Sequence, residues 1–178
     1  MSLLIALSIS ISILGGIATW AFLSAWTGPV LIWAAFVAWG CFYHSGGDDA
    51  ALKNTIVGNL FGVICAWVAA MVILSIPMAA TLTLPVWAGI VVAGTVFVVV
   101  MAAHIPAFSV IPASVYGYAS TFAFLLQTPK ALSVEALTAL NLGNALLIIP
   151  LSMIIGAVFG FASAKVGGML VKPEPEAA

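Results

Sequence analysis

Long apolar stretches follow one another along this chain, separated by short breaks that contain Gly, Pro and polar residues. A helix that crosses a bilayer needs about 20 apolar residues, and Gly and Pro readily end helices. The apolar runs are continuous, whereas membrane β-strands alternate polar and apolar residues. We therefore predict an all-α fold, a polytopic membrane helical bundle of about six spans. The predicted spans are residues 3–25, 29–44, 51–75, 80–103, 105–127 and 136–164 of a transmembrane domain 1–168, followed by a disordered cytoplasmic tail, 169–178.

The scarcity of charge supports this prediction. Only 5% of the residues are charged and 65% are hydrophobic, whereas soluble domains carry charge on about a quarter of their residues. No Asp, Glu, Lys or Arg occurs from Asn54 to Pro129. The lipid bilayer is therefore the expected surrounding. A net charge of −1 and the lack of a basic patch give no reason to expect nucleic acid as a partner.

The lysines predict an orientation. With six spans both termini lie on one side of the membrane, together with Lys53, Lys165 and Lys172, and only Lys130 lies on the other. Because Lys and Arg are enriched in cytoplasmic loops, we expect both termini in the cytoplasm.

Two similar stretches suggest an internal repeat. Leu52 precedes the pair Gly58-Asn59 by six residues, and Leu137 precedes Gly143-Asn144 by the same spacing. If each half contributes three helices, the halves are inverted relative to each other. Many transport proteins place the substrate path at the interface of such inverted repeats.

Small residues at four-residue spacing predict close helix contacts, either within the subunit or between the subunits of a homo-oligomer. Asn59 and Asn144 lie beside these stripes. A buried Asn amide needs a partner, so each either joins two helices or lines a path for solute. The predicted packing positions are Gly58, Gly62, Gly156 and Gly160.

Spans two and five are unusual, since the former is short and the latter contains prolines. We expect Pro112 to remove a backbone donor and free the carbonyl of Phe108 inside the fifth span. Interrupted helices at matching positions of two halves indicate a transport site. Two alternatives stay open: hydroxyls can bond to their own helix, and aromatic residues can form a belt at the membrane interface. The predicted substrate-path residues are Trp39, Tyr43, Asn59, Pro112, Ser114, Tyr116, Thr121 and Asn144.

No pattern in the sequence indicates catalysis. His44, Asp48 and Asp49 share a polar loop, but their spacing matches no recognised metal site. Cys41 and Cys65 lie in apolar runs and are interpreted as small buried hydrophobic residues. We therefore expect no enzyme activity, no cofactor and no bound metal. A membrane enzyme that works at the His44 loop is the least favoured alternative.

No charged residue falls deep inside a predicted span, although proton- and ion-coupled pumps usually bury such groups. The sequence therefore favours a channel or facilitative transporter for a small uncharged solute, such as urea, an amide or ammonia. The alternative is a membrane scaffold or regulatory subunit that transports nothing.

Two stretches carry a resemblance to a known family. The run from Trp33 to Tyr43, followed by Gly46-Gly47, and the run from Ser109 to Ala123 resemble the YcdZ-like family of uncharacterised bacterial inner-membrane proteins. The resemblance extends over about residues 5–165. It implies a compact multi-pass protein of the bacterial cytoplasmic membrane and assigns no substrate. A looser likeness to urea channels rests on architecture alone.

Overall fold

The computed structural model describes residues 1–171, and its regular elements are all helical, which confirms the all-α prediction. Six long helices alternate in direction, and two short helices and two 3₁₀ turns lie in the connections. The helices are α1 (Leu3–Ser24), α2 (Ile32–His44), α3 (Asp49–Ser75), α4 (Ala79–Leu82), α5 (Leu84–Met101), α6 (Ile111–Gln127), α7 (Val134–Thr138) and α8 (Ala145–Leu170).

Each predicted span overlaps one of the six long helices, but the helices differ in length. Four are long and apolar enough to cross a membrane: α1, α3, α5 with its following 3₁₀ turn, and α8. Helix α2 has 13 residues and α6 has 17, so both are shorter than a usual span. The chain is thus an all-helical membrane protein with four helices of spanning length and two shorter ones.

Pro112 begins helix α6, which differs from the prediction that it interrupts a span. It stands in the first turn of α6, after the 3₁₀ turns Ala102–His104 and Pro106–Phe108. The backbone N–H of a first-turn residue has no helical partner, so a proline there costs nothing and favours the helical φ angle. The expected release of a carbonyl inside the helix therefore does not occur at this proline.

The last helix begins later than predicted. Residues 139–144 form a loop, and the Asn144 side chain caps α8 by accepting a hydrogen bond from Leu146 N at 2.9 Å. Helix α8 then continues to Leu170, so the start of the predicted tail, at residue 169, still belongs to the helix. The remainder of that tail, residues 172–178, lies outside the described residues.

Helices α3 and α6 run parallel and touch through glycine. A methyl group at Gly62 would overlap the backbone of Ser114, and one at Gly58 would overlap Ala113. Helices α2 and α8 form a second parallel pair of the same kind, in which a methyl group at Gly156 would overlap the Ala35 backbone. All four predicted packing glycines thus lie at close helix contacts, including Gly160, which faces Trp39 and Phe42.

The two halves of the chain contact each other in a matching pattern. Helix α1 packs on α8, and α5 packs on α3; α3 and α8 also contact each other at the centre. The second helix of each half therefore pairs with the third helix of the other half. The two outer helices, α1 and α5, are mostly exposed.

The predicted repeat anchors do not match in this structure. Asn59 lies inside α3, whereas Asn144 precedes the first turn of α8. Gly62 and Gly156 occupy similar positions instead, since each lies against the backbone of the second helix of the opposite half, α6 for Gly62 and α2 for Gly156. The pairs Gly58-Asn59 and Gly143-Asn144 are therefore not equivalent positions.

Both ends of the described chain lie at one end of the bundle. Gly167, near the end of α8, packs against Leu7 in α1. At the same end Lys165 Nζ lies 3.2 Å from Asp49 Oδ1, at the start of α3. This agrees with an even number of crossings.

Candidate functional site

Asn59 has the most unusual environment of the predicted path residues. It lies about 15 Å along α3, at about 1.5 Å per residue, and is only 2% exposed. Its Oδ1 accepts a weak hydrogen bond from the Cys41 thiol of α2, at 3.7 Å. Its Nδ2 has no hydrogen-bond partner among the described residues. Such an unpaired buried donor costs about 1–3 kcal/mol, so it calls for an explanation.

A series of small polar side chains connects Asn59 to the loop between α2 and α3. The Cys41 thiol also lies 3.9 Å from Ser45 Oγ, and Thr55 Oγ1 donates to the same Ser45 oxygen at 3.4 Å. Ser45 follows the last residue of α2, and Thr55 lies one turn before Asn59 on α3. We call these residues the polar track; they are Cys41, Ser45, Thr55 and Asn59.

Ser114 lies at the nearby crossing of α3 and α6. It is fully buried, and its hydroxyl has no partner among the described residues. Gly117, one turn further along α6, has its Cα against the carbonyl of Asn59. The crossing therefore holds two buried polar groups that are free to bond, one amide and one hydroxyl.

The indole N–H of Trp87 on the outer helix α5 is also buried and unpaired in the described chain.

Trp39 and Tyr43 come together on one hydroxyl of α8. Trp39 Nε1 donates to Ser163 Oγ at 3.1 Å, and the Tyr43 hydroxyl lies 2.7 Å from the same oxygen. Ser163 itself donates to the Gly160 carbonyl at 2.7 Å, so its one proton is used and both aromatic groups act as donors. The two side chains thus join α2 to α8 and have their polar atoms satisfied.

The remaining predicted path residues also bond within the protein. Thr121 donates to the carbonyl of Gly117 at 2.9 Å, and the Tyr116 hydroxyl lies 3.0 Å from His44 Nδ1. The Asn144 amide donates to the carbonyls of Leu137 and Ala139 at 2.8 and 3.0 Å. Thr121 bonds to its own helix, whereas Tyr116 bonds to α2 and Asn144 to the preceding loop. Pro112 contributes helix initiation.

Four residues near these groups were not predicted to matter. Cys41 was interpreted as a small hydrophobic residue, although its thiol contacts the Asn59 amide. Thr55, Ser163 and Pro150 were not considered in the sequence analysis, and Pro150 lies inside α8. The spacing of Thr55 and Asn59, one helical turn apart, could have indicated a shared face. The partnership of Ser163 with α2 could not be read from spacing, because it joins residues more than a hundred positions apart.

The polar loop at the start of α3 uses its acidic groups for structure. Asp48 caps α3 by accepting from Ala51 N at 2.7 Å, and Asp49 pairs with Lys165. Within residues 1–171, no group of three or more His, Cys, Asp or Glu side chains is arranged to hold a metal ion.

Apolar grooves open at several places on the outer surface of the described chain, one of them of about 260 Å³ between α3 and α5. The one between α5 and α6 encloses about 470 Å³, and Tyr118 inside it is bonded to Thr95 at 2.8 Å. The one between α1 and α2 encloses about 220 Å³ and includes Trp39 and Tyr43. These last two grooves lie between the first and second helices of a half, which is a further likeness between the halves.

Comparison with known proteins gives one match. The family described as "Protein of unknown function (DUF1097)" matches residues 8–168. No curated protein and no solved structure matches. Both stretches that resemble the YcdZ-like family, residues 33–43 and 109–123, lie within the matched range. Because the match covers most of the chain, the chain belongs to the DUF1097 family.

Proposed function

We propose that this protein is a channel or facilitative transporter for a small uncharged solute in the bacterial cytoplasmic membrane, with both termini in the cytoplasm. The observation that carries the proposal is the unpaired, buried amide of Asn59 at the inner end of the polar track. A polar donor held without a partner inside an apolar bundle is costly, and function is one reason to retain it.

The chemistry of the track favours neutral cargo. Its members are a thiol, two hydroxyls and an amide, and none of them is ionised at neutral pH. Neutral groups of this kind replace the water around an uncharged solute, but they compensate poorly for the hydration of an ion. The transport is therefore passive, driven by the gradient of the solute.

The described conformation is closed. The central helices meet through buried side chains, and the space beside Asn59 is too small for a water molecule. Opening then requires a movement of α8 relative to α3. We further propose that the two halves form an inverted repeat, which the matching contacts of α2 with α8 and of α6 with α3 support. The largely exposed helices α1 and α5 would supply the contacts of a homo-oligomer.

Flux measurements with purified protein test the proposal. Proteoliposomes are mixed rapidly with urea, acetamide, ammonia, glycerol or a non-permeant osmolyte, and the vesicle volume or internal pH is followed. We expect at least one neutral solute to cross faster than in protein-free vesicles, with a rate that is insensitive to membrane potential. Rates equal to those of protein-free vesicles for all of these solutes would refute the proposal.

A non-transporting scaffold or regulatory subunit is the second candidate. The observation that favours it is the internal bonding of Trp39, Tyr43, Tyr116 and Thr121, which leaves few polar groups for a path. Affinity purification from the native membrane would separate the two functions. A scaffold would bring down a stoichiometric partner, and its proteoliposomes would show no flux.

A further inference from the structure

Helices α3 and α8 separate slightly where Asn59 faces Pro150. The slot between them is too narrow to hold a water molecule. Ile154, on the outer rim, is 37% exposed, whereas Asn59 and Met153 are buried. The slot is lined by Ile56, Asn59, Leu60, Pro150, Met153 and Ile154.

The slot holds one free donor, and the presence of Pro150 implies a free acceptor one helical turn earlier in α8. The donor is Asn59 Nδ2, which has no partner among the described residues. The acceptor arises from Pro150, which stands inside α8 and has no N–H to offer the carbonyl of Leu146, four residues earlier. The same missing bond weakens the helix locally, so α8 can bend at this place more easily than elsewhere.

We propose that this slot is a binding site for a small neutral molecule that carries both a carbonyl oxygen and an N–H group, that is, a primary amide or urea. The carbonyl oxygen accepts from Asn59 Nδ2, and the N–H donates to the Leu146 carbonyl. Asn59 Oδ1 accepts from the Cys41 thiol, whereas Nδ2 has no partner among the described residues, so the amide offers a donor to an acceptor on the ligand. This inference rests on the proposed function and specifies its solute class.

The side chains that line the slot exclude other ligands. None is charged, and five of the six are apolar, so an ion would lose its hydration without compensation. A purely apolar molecule of the same size would leave both polar groups unpaired. Binding therefore opens the slot by bending α8 at Pro150, and the two new hydrogen bonds offset the cost of opening.

Nuclear magnetic resonance of the Asn side chains tests binding without relying on transport. The full chain is labelled with ¹⁵N-asparagine in nanodiscs and titrated with acetamide, and the Asn59 amide pair is assigned by its absence in Asn59→Leu or, should that variant not fold, Asn59→Gln. We expect a saturable shift of the Asn59 pair while the pair of the exposed Asn141 stays unchanged. Acetone has the same shape but no N–H group, and we expect about tenfold weaker binding for the loss of one hydrogen bond.

Two variants complete the experiment. Pro150→Ala restores a donor for the Leu146 carbonyl, so we expect about tenfold weaker acetamide binding. Gln127→Leu makes the same type of change as Asn59→Leu at an exposed site and should bind like the wild type. The inference would be overturned if acetamide left the chemical shifts of the Asn59 side-chain N–H signals unchanged, or if acetone and acetamide shifted them equally. Binding and flux are measured separately. Flux without a change in the Asn59 signals would refute only this binding site. Saturable binding without flux would refute only the transport function.

Discussion

The backbone of Gly156 in α8 lies directly against the backbone of Ala35 in α2, with no space for a methyl group between them. Since the obstructing atoms belong to a backbone and not to a flexible side chain, a Gly156→Ala substitution must push the two helices apart. Overpacking of this kind costs about 1–3 kcal/mol. We expect the variant to lose thermal stability in detergent, measured by size-exclusion chromatography after heating.

Gly168→Ala is the matched control for that change. Gly168 lies in the same helix, but outside its own stretch of helix no atom of the described chain lies within 4 Å of the position that its Cβ would take. Alanine there should stabilise α8 by up to about 1 kcal/mol through helix propensity. Equal stability of the two variants would show that α2 and α8 do not meet at Gly156.

Ser163→Ala removes the oxygen that accepts from both Trp39 and Tyr43. Trp39 is 4% exposed, so its indole N–H would be left buried without a partner, at a cost of about 1–3 kcal/mol. Tyr43 is half-buried and can turn to another partner, so Tyr43→Phe should cost less than Ser163→Ala. The tryptophan fluorescence of the protein should also change in Ser163→Ala, because the Trp39 indole loses its hydrogen bond. A stability unchanged in Ser163→Ala would contradict this contact.

Asn59→Leu should separate stability from function. Leucine has the same number and branching of heavy atoms as asparagine and removes a buried donor that has no partner in the described chain, so the variant should be about as stable as the wild type. The flux of neutral solute should fall at least tenfold if the Asn59 amide stabilises the solute at the narrowest point of the path. Loss of stability without loss of flux would mean that Asn59 serves packing alone.

Asn144→Ala should show the opposite behaviour. This side chain caps α8 and donates to two loop carbonyls, so its loss should cost about 1–2 kcal/mol of stability. The ratio of rates for different solutes should stay constant, because the Asn144 amide has partners and faces no slot. Asn141→Ala, in the exposed part of the same loop, is the control and should be milder. A change in the ratio of solute rates in Asn144→Ala would instead indicate that Asn144 lines the solute path.

The apolar runs predicted the existence of all six long helices, since each run needed a helix to satisfy its backbone in lipid. The start of α8 was missed because Leu137, Leu140 and Leu142 continue the apolar pattern through a loop. Leu140 is 97% exposed, so the pattern there does not report burial. The cap formed by Asn144 depends on side-chain geometry that composition does not reveal.

The site was predictable only in part. Asn59 was identified because a buried amide in an apolar helix is conspicuous. Its lack of a partner, and the place of Pro150 opposite it, depend on how α3 and α8 pack, and no local pattern fixes that packing. Trp39, Tyr43 and Tyr116 have the composition typical of a lined path, but their bonds to Ser163 and His44 join distant parts of the chain.

The exchange of partners between the halves has a consequence for biosynthesis. Helices α1 and α2 are the first of the described helices to be synthesised, yet α8, on which both pack, is synthesised after the other five long helices. Until then the glycine surfaces of α8 are missing, and Trp39 has no acceptor. Helices α1 and α2 therefore stay loosely associated in the lipid until α8 is inserted, and a product that ends before α8 contains the α3–α6 pair but lacks the partner of α1 and α2.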